Sequence, residues 1–417
     1  MMKISFLCYR GNPYCGGQGG YLYYLSRELA RLGHEVTVLV GSPKPWPMPW
    51  ARTIHIENLN LWGVRRHFLP PESPWRIFRP LNFYELAATR LGFFPEMLIF
   101  SLRALSLLRN GDHGQRIDLL HDVQTLGYGL MGMKGIGRGL VTTVHHPLTV
   151  DFRINMESKR TFREKYYSLV FYPLAMQRRV IRCCDRVLTS SRATMADLQK
   201  AFGVLPERLR LVYNGVDADF FRPLANERIP NRLLFVGNTN DEKKGIVDLL
   251  RALCRLPASF TLTIVDEGAP TKPLIPQMVH RMGLSGRVFF TGRLSLDQLR
   301  YHYNSCQAVV VPSLYEGFGL PAAEAMACGT PVVATAAGAL PEVVGDEGAG
   351  FLVPPRSPSA LAEAIAQVLS RETNREEMGR IGRDRVQRLF TWRKVAERTL
   401  RVYEELLHGD RMKERVD

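Results

Sequence analysis

The sequence lacks the features of a disulfide scaffold, a zinc domain or a membrane-spanning protein. Its 417 residues include seven cysteines, an odd number, and no CxxC pair or Cys/His cluster, which argues against disulfide frameworks and structural zinc sites. No run of about 18 uncharged apolar residues occurs, because Glu96 and Arg103 interrupt the nearest one, residues 91–108. The opening residues MMKISFLCYRG lack the apolar core of a signal peptide. We therefore expect a cytoplasmic protein, with association at the inner face of a membrane left open.

Acidic residues are scarce in the first half of the chain. Residues 1–222 contain 30 Lys and Arg against 17 Asp and Glu, whereas residues 223–417 contain 25 against 23. This basic excess suggests an anionic partner: a membrane surface, a phosphorylated substrate or nucleic acid. Since no RNP, helix-turn-helix, KH or zinc-finger pattern accompanies the charge, we expect no nucleic-acid binding.

Strand-length apolar runs alternate with amphipathic helical segments along most of the chain. We predict strands at residues 3–9, 35–40, 117–121, 140–145, 186–190, 233–236, 260–265, 288–291, 308–311 and 331–334. Residues 43–82 are predicted to be irregular, residues 83–109 to be helical, and residues 158–183 to form a basic and aromatic helix. The pattern predicts an α/β fold of two doubly wound, Rossmann-like domains, residues 1–222 and 223–391, with ligands bound at the carboxyl ends of strands in an interdomain cleft.

The strongest motif extends from Pro312 to Pro331 and reads PSLYEGFGLPAAEAMACGTP. A buried strand leads into a glycine-containing turn, and a helix is predicted to begin near Leu320. The backbone N–H groups of Phe318, Gly319 and Leu320 would then point out of the helix N-terminus and form an anion site suited to a diphosphate. Glu316 and Glu324 could face the same ligand; alternatively, Glu324 balances the helix N-terminus and Glu316 is solvated.

A second strand, turn and helix occur at FVGNTNDEKKG, residues 235–245. Lys244 could neutralise charge on a departing phosphate. The alternative is that Lys243 and Lys244 form a solvated turn. The segment does not match a Walker A loop.

Two further candidate groups lie in the first half. Gly16 and Gly17 precede the first predicted helix without matching GxGxxG, so either a phosphate or sugar contact or an ordinary tight turn is consistent with them. In TTVHHP, His145 and His146 follow a strand, and at most one of them can point to the ligand side. A core or surface histidine is the alternative.

Two other patterns have a structural interpretation that we favour. Asp217-Ala-Asp219 resembles a metal-binding DxD, but no third ligand lies nearby in the sequence, which favours a turn. The Trp, Phe and Arg residues of 62–109 could form an amphipathic membrane face, although a helical pair packed on the domain is the simpler interpretation.

Together these motifs resemble the retaining glycosyltransferases of family 4, which have GT-B architecture. The resemblance covers nearly the whole chain, through GGQGGYLYYLSRELARLGHEVTVL, TVHHP, VYNGVD, LLFVGN, FTGR and SLYEGFGLPAAEAMACGTPVVAT. It implies transfer of a sugar from a UDP- or GDP-linked donor to an acceptor hydroxyl, giving an α-glycoside. It implies no metal and no cofactor besides the nucleotide-sugar co-substrate. The acceptor, whether lipid, glycan or small metabolite, stays open, and helix 392–408 would return to the first domain.

The resemblance also assigns roles to individual residues. As catalytic residues, Glu316 would contact the transferred sugar, Lys244 would pair with the diphosphate, and His145 would lie beside the sugar ring. Glu324 would bind the ribose hydroxyls. The other implied donor-binding residues are Gly317, Phe318, Gly319, Leu320, Gly16, Gly17, Asn238 and Arg293.

One position departs from the family pattern. Family members usually carry Arg where this chain has Asn238, so one cation for the diphosphate is missing. Either Arg10 or Arg293 replaces it, or the donor is bound less tightly. Asp266 also occupies a position that is commonly Gly. The alternative function raised by Asn238 is a non-catalytic, nucleotide-sugar-binding regulatory protein of the same fold.

Overall fold

The computed structural model describes residues 1–12, 17–59, 61, 74–110, 117–158, 161–225, 227–266, 274–370 and 372–413. The chain forms two compact units. The N-terminal unit comprises Met1–Ser190, Thr194–Val212 and the chain from Val395 onward, and the C-terminal unit comprises Ser191–Ala193 and Tyr213–Lys394.

The N-terminal unit contains a parallel sheet of seven strands among its described residues, in the order β3-β2-β1-β4-β5-β6-β7. The strands are β1 (Lys3–Cys8), β2 (Glu35–Gly41), β3 (Arg52–Ile56), β4 (Leu119–Val123), β5 (Gly139–Val144), β6 (Arg186–Thr189) and β7 (Leu209–Leu211). From β1 the chain adds β2 and β3 on one side, and it then returns to the other side of β1 to add β4 to β7. The position between β1 and β4 is therefore the topological switch point of the sheet.

Amphipathic helices follow these strands. They are α1 (Gly17–Arg31), α2 (Pro80–Arg90), α3 (Glu96–Asn110), α4 (Leu148–Ser158), α5 (Phe162–Phe171), α6 (Leu174–Ile181) and α7 (Arg192–Phe202). Helix α1 buries Leu22, Leu25 and Leu29, which share one face at helical spacing. It ends at Arg31, and Gly33 follows with a φ of 86°, in the left-handed region that glycine adopts most easily.

The C-terminal unit repeats this plan with a parallel sheet in the order β10-β9-β8-β11-β12-β13. Its strands are β8 (Arg232–Val236), β9 (Thr261–Val265), β10 (Val288–Phe290), β11 (Ala308–Val311), β12 (Val332–Thr335) and β13 (Gly350–Val353). Its helices are α8 (Ile246–Leu253), α9 (Leu274–Arg281), α10 (Leu296–Ser305), α11 (Leu320–Ala327), α12 (Leu340–Val344), α13 (Pro358–Ser370) and α14 (Glu372–Leu389). Alternate strand residues enter two apolar clusters, Leu233 and Val310 in one and Leu234 and Val309 in the other.

The last helix, α15 (Trp392–Lys413), contacts the N-terminal unit from Val395 onward. Glu405 pairs with Arg186 and Arg210, and Leu406 packs over Gly139, where a β-carbon would lie 2.4 Å from it. These contacts explain why the helix groups with strands far earlier in the sequence.

The boundary between the units differs from the predicted one. The sequence pattern assigns residues 213–222 to the first domain, but the structure groups them with the second. The Val216 N–H donates to the Phe390 carbonyl at 2.7 Å, and the Phe221 ring lies 5.8 Å from that of Tyr303. The segment therefore begins the C-terminal unit.

Several predicted elements need correction. Residues 43–82 are not irregular throughout, since they contain β3, and the sequence pattern does not predict β7 or β13. All three strands lie at sheet edges and are partly exposed, so they lack the buried apolar run on which the prediction of a strand depends.

Two segments that are predicted to be helical contain breaks: the first is the helical segment 83–109, and the second is the predicted helix 158–183. The segment 83–109 forms α2 and α3, separated by Gly92, with φ 90°, and by Pro95. The segment 158–183 contains α5 and α6, separated at Pro173, because proline cannot donate the hydrogen bond that would continue the helix. Among the helices of the described chain, none is both long and apolar enough to cross a membrane.

Candidate active site

The candidate site of the C-terminal unit lies at the switch point of its sheet. Strand β8 pairs with β9 on one side and with β11 on the other. The loops that follow β8 and β11 therefore leave the same edge of the sheet side by side, which is where doubly wound sheets bind ligands. These loops contain the two strongest sequence motifs.

The loop after β8 is shaped to approach the loop after β11. Asp241 accepts a hydrogen bond from the Lys243 N–H at 3.1 Å and so begins a short 3-10 helix, Glu242–Lys244. Gly245 follows with φ 66°, and a β-carbon there would lie 1.9 Å from the Pro312 carbonyl oxygen. The Lys243 carbonyl accepts from the Leu314 N–H at 2.7 Å. Only glycine at residue 245 permits this close approach of the two loops.

The approach brings Lys244 and Glu316 together. Lys244 Nζ lies 2.8 Å from Glu316 Oε1, and Ser313 Oγ donates to the same oxygen at 2.8 Å. The Lys244 and Glu316 side chains are 24% and 10% exposed, so Glu316 is not the solvated residue of the alternative interpretation. Burial opposes the charged ammonium, but the attraction of Glu316 outweighs it, and the pKa of Lys244 is raised. Lys244 is thus a cation at neutral pH.

The backbone of Glu316 is fixed by the loop that precedes α12. The Ala339 N–H donates to the Glu316 carbonyl at 2.9 Å. Gly338, with φ 56°, passes so close that a β-carbon there would lie 2.2 Å from that oxygen. The sequence signal for this contact is the glycine of GALPEVV, which needs a small residue at a left-handed position.

Helix α11 begins immediately after Glu316 and Gly317. Gly319 caps it with φ 99°, and its carbonyl accepts from the N–H groups of Ala322 and Ala323 at 3.1 and 3.2 Å. Pro321 has no N–H group, and the first N–H groups that donate within the helix are those of Ala322 and Ala323. The N–H groups of Phe318, Gly319 and Leu320 therefore lie ahead of the hydrogen-bonded part of the helix. The Phe318 ring lies 5.4 Å from Phe390 in the core, which holds this helix end in place. The arrangement suits an anion.

Glu324 lies in the second turn of α11, where its position is set by a buried tyrosine. Tyr303 on α10 is fully buried and donates its hydroxyl hydrogen to Glu324 Oε2 at 2.7 Å. Burial, reinforced by the Glu324 charge, raises the pKa of Tyr303 well above its ordinary value. The sequence offers no local signal for this pair because the two residues lie on different helices.

Asn238 and Asp266 stabilise the start of the loop after β8. Asn238 is exposed, and its Oδ1 accepts from the Asn240 N–H at 2.8 Å. Asp266 is buried and accepts hydrogen bonds from the Thr239 N–H, at 3.0 Å, and from the Thr239 hydroxyl. Arg293 is exposed after edge strand β10. Asn238 thus acts as a turn residue in this unit.

The N-terminal unit places His145 next to α1. The His145 ring meets the edge of the Tyr21 ring at a centroid distance of 4.7 Å. Gln124, which follows β4, accepts from the His145 N–H at 2.8 Å and donates to the His146 carbonyl at 2.7 Å. Gly17 is the first residue of α1, and Gly16 lies outside the described residues. Sequence analysis missed Tyr21 and Gln124.

A buried chain of hydrogen bonds continues from Tyr21. The Thr143 hydroxyl lies 3.0 Å from the Tyr21 hydroxyl and 2.7 Å from His121 Nε2, and His121 Nδ1 bonds the Tyr403 hydroxyl on α15. Burial, with a smaller contribution from the nearby His145, lowers the pKa of His121 to about 3. The chain is therefore neutral at physiological pH.

Other candidate residues have structural partners. Both Nε and a terminal nitrogen of Arg10 lie 2.7 Å from Glu96 Oε2, so its charge is already compensated. His146 Nε2 lies 2.9 Å from Asp151. Asp217 Oδ1 accepts from the Phe220 N–H at 3.2 Å, as in a turn. Across the described residues, no three His, Cys, Asp or Glu side chains are grouped to hold a metal ion.

Comparison with known proteins gives matches to two families and to many relatives. The sequence model described as Glycosyltransferase Family 4 matches residues 15–220, and the one described as Glycosyl transferases group 1 matches residues 217–385. The chain is 38% identical over 415 residues to the MMP alpha-(1->4)-mannosyltransferase of Mycolicibacterium hassiacum, covering 97% of this chain and 98% of that protein. It is 34% identical over 420 residues to glycogen synthase of Mycobacterium tuberculosis, covering 98% and 96%.

Solved structures agree with the fold. Sucrose-phosphate synthase from Thermosynechococcus elongatus superposes with a TM-score of 0.75 at 25% identity, covering 98% of this chain and 100% of that one. The lipopolysaccharide glycosyltransferase WaaG superposes with a TM-score of 0.64 at 17% identity, covering 96% and 99%. The two parallel Rossmann-like sheets and these superpositions show the GT-B fold. The two family models and the relatives at 38% and 34% identity show that the chain belongs to glycosyltransferase family 4.

Proposed function

We propose that the protein transfers a hexose from a nucleoside diphosphate sugar to an acceptor hydroxyl, with retention of configuration and formation of an α-glycoside. The relative at 38% identity is named for α-(1→4)-mannosyl transfer and the relative at 34% for glycogen synthesis. Mannose is therefore the first candidate for the transferred sugar and glucose the second. The nucleotide is UDP or GDP.

The observation that carries this proposal is the Lys244–Glu316 pair beside the N-terminus of α11. Lys244 Nζ lies 2.8 Å from Glu316 Oε1 at the switch point of the sheet. The ammonium and the N–H groups of Phe318, Gly319 and Leu320 supply positive potential where a diphosphate would leave. In this proposal Glu316 and Gly317 border the sugar, and the Oε1 atom of Glu324 accepts from the ribose hydroxyls.

Each unit is proposed to supply further contacts of its own. In the C-terminal unit, Arg293 supplies the second cation for the diphosphate, because Asn238 is neutral. Arg10 is already neutralised by Glu96. In the N-terminal unit, Gly17 and His145 contact the acceptor.

We propose substitution on a single face of the sugar. The acceptor oxygen forms a bond to the anomeric carbon while the bond from that carbon to the phosphate oxygen breaks, and the acceptor proton passes to the departing phosphate oxygen. Double displacement would need a free carboxylate at the anomeric carbon. Glu316 fits that role poorly, because its Oε1 already accepts from Lys244 and Ser313. The scheme uses no metal ion.

The test is a binding and transfer panel with the whole protein. Calorimetry with UDP, GDP, ADP and their mannose and glucose derivatives identifies the donor, and transfer to hydroxyl acceptors, such as short α-(1→4)-linked oligosaccharides, is followed by NMR of the anomeric proton. We expect one nucleotide series to bind and the product to be α-linked. Failure to bind any of these compounds would overturn the proposal, and a β-linked product would overturn retention. Donor binding without transfer or hydrolysis would instead favour a regulatory protein.

A further inference from the structure

A cavity in the C-terminal unit lies beside the carboxyl end of α11, whereas the proposed donor site lies at the N-terminus of that helix. Its volume is about 360 Å³, which is within the range of small-molecule sites. We call it the arginine cavity and define it by six of the residues that line it: Arg228, Gly329, Arg375, Glu376, Arg380 and Arg383. The proposed donor site uses none of these residues.

Helix α14 supplies most of the charged residues of the arginine cavity. They share one face of the helix, because Arg375 and Arg383 are eight residues apart and the other two lie between them. The helix packs so closely against the end of α11 that a β-carbon at Gly379 would lie 2.1 Å from the Gly329 carbonyl oxygen. Glycine at residue 379 permits this approach, which places the charged face of α14 at the same cavity as Arg228.

Three of the four arginines donate to neutral oxygens. Arg375 donates to the Leu369 carbonyl at 2.9 Å. Arg383 donates to the Ala327 carbonyl at 2.5 Å. Arg228 donates to two backbone carbonyls and to a threonine hydroxyl, at 2.6 to 2.9 Å. Within the described part of the chain, none of these three guanidinium groups forms an ion pair with a carboxylate, so their charge is not neutralised by direct contact.

The other two charged residues of the cavity differ from these three. Arg380 pairs with two exposed carboxylates of its own helix, at 2.7 and 3.1 Å. Glu376 is the one carboxylate among the residues that line the cavity. Burial lowers the pKa of Arg228, the charge of Arg375 lowers it further, and Glu376 partly opposes this. Since a guanidinium remains charged at neutral pH, the arginine cavity combines a positive wall with one carboxylate.

We propose that the arginine cavity binds a sugar phosphate of about hexose size. Each guanidinium carries five N–H donors, and Arg375 and Arg383 each use one nitrogen within the described chain. Their remaining N–H groups suit a phosphate, which accepts paired, charge-assisted hydrogen bonds. Glu376 would repel a bare phosphate ion but would accept a hydrogen bond from a sugar hydroxyl. The site is additional to the proposed donor site, and it stands or falls independently of the proposed function.

A purely structural role explains the arginine cavity less completely. Arg383 and Arg228 bond the carbonyls of Ala327 and Gly329, and arginines are common partners for the last carbonyls of a helix. Arg375 instead bonds a carbonyl in α13. Capping of α11 therefore accounts for two of the three arginines, but not for Arg375 or for the carboxylate beside it.

Calorimetry with the full chain tests the proposal. The probes are the 1- and 6-phosphates of glucose and mannose, inorganic phosphate and the two free sugars. We expect at least one sugar phosphate to bind, inorganic phosphate to bind at least about fivefold more weakly, and the free sugars not to bind. Arg375→Gln should raise Kd for the sugar phosphate about tenfold. Glu376→Ala should bring the two Kd values within about twofold of each other, because both the hydroxyl acceptor and the repulsion of phosphate are lost.

Arg388→Gln is the matched control for Arg375→Gln. It makes the same change on the same helix, at an arginine that pairs with Glu347 at 2.7 Å, and it should bind the sugar phosphate like the wild type. Lys244→Ala should also leave this Kd unchanged, because Lys244 belongs to the proposed donor site. Thermal unfolding checks that each variant is folded, and Glu376→Ala changes an exposed side chain, so it provides a second test if Arg375→Gln is unstable.

Several results would overturn the proposal. One is the absence of binding by all four sugar phosphates, and another is equal affinity of the wild type for inorganic phosphate. A third is binding that Arg375→Gln retains, and a fourth is binding that Lys244→Ala abolishes, since the ligand would then occupy the donor site.

Discussion

The two units share a sheet topology around the switch point but place opposite kinds of chemistry there. In the C-terminal unit, the charged Lys244–Glu316 pair keeps access to solvent beside the N-terminus of α11. In the N-terminal unit, the equivalent region leads to the buried and neutral chain of His121, Thr143 and Tyr403. The same sheet topology can therefore present charged side chains to a ligand, or hold neutral side chains together in a buried hydrogen-bonded chain. The residues within and after each strand decide which of the two occurs.

The largest effect that the comparison predicts is loss of turnover in Lys244→Ala. Removal of the ammonium takes away the charge that stabilises the departing diphosphate, so kcat should fall by about 10²–10³. Glu316 stays hydrogen-bonded to Ser313, which keeps its side chain oriented. Steady-state kinetics with the identified donor measures the loss.

Lys243→Ala is the matched control for Lys244→Ala. Lys243 is the preceding residue, and its Nζ lies 3.6 Å from Asp241. Its backbone carbonyl, which holds the Leu314 N–H, survives the substitution. We expect its rates to stay within about twofold of the wild type, because the pair with Asp241 is partly exposed and such ion pairs contribute little. Wild-type turnover in Lys244→Ala would refute the role of this lysine at the leaving group.

The second prediction concerns pH and the buried chain of the N-terminal unit. The pKa of His121 is lowered to about 3, so between about pH 6.5 and pH 3 the unfolded state takes up a proton that the folded state does not. Stability that depends on neutral His121 is therefore lost as the pH falls. The free energy of unfolding is measured with urea at pH 6.5 and at pH 4.5. Between these two pH values it should fall by about 2–3 kcal/mol less in His121→Asn than in the wild type.

The neighbouring Asp122 acts in the opposite direction. It is buried, and burial raises its pKa to about 6 despite hydrogen bonds from Thr142 and the N–H groups of Thr125 and Leu126. A raised carboxyl pKa favours the folded state on acidification, and this contribution is common to wild type and variant. His280→Asn, a change at an exposed histidine of α9, should keep the wild-type pH dependence. If His121→Asn also keeps the wild-type pH dependence of stability, the fold does not hold His121 neutral.

Sequence patterns singled out the candidate site residues more readily than the partners that hold them. Lys244 and Glu316 each lie in a loop that follows a buried strand, so local strand, turn and helix signals were sufficient to select them as candidates. Tyr403 follows His121 by 282 residues, and no local pattern relates such a pair. Edge strands β3, β7 and β13 escaped for a different reason, since partial exposure leaves them without a continuous buried run.

A smaller effect is expected from Tyr303→Phe, which removes the hydroxyl that orients Glu324. The ring still fills its buried space, but the carboxylate loses the hydrogen bond at 2.7 Å. If Glu324 binds the ribose equally in ground and transition states, KM for the donor should rise about five- to tenfold with kcat unchanged. Tyr301→Phe, at an exposed tyrosine of the same helix, should change neither constant. A fall in kcat at constant KM would instead place Glu324 at the reacting centre.

The smallest effect is a gain, expected for Asn238→Arg. The substitution restores the cation that the resemblance to family 4 implies at this position, and the exposed site leaves room for it. The Asn238 carbonyl still accepts from the Asp241 N–H at 3.1 Å, although the side-chain bond to the Asn240 N–H is lost. We expect donor Kd, measured by calorimetry, to fall about threefold and the gain to shrink with added salt. Asn238→Ala removes the same turn bond without adding charge, so it separates the two effects. In the proposed site this arginine adds a third cation to Lys244 and Arg293. An unchanged Kd in Asn238→Arg would mean that those two already neutralise the diphosphate, and Arg293→Gln would then have to weaken donor binding for the proposed site to hold.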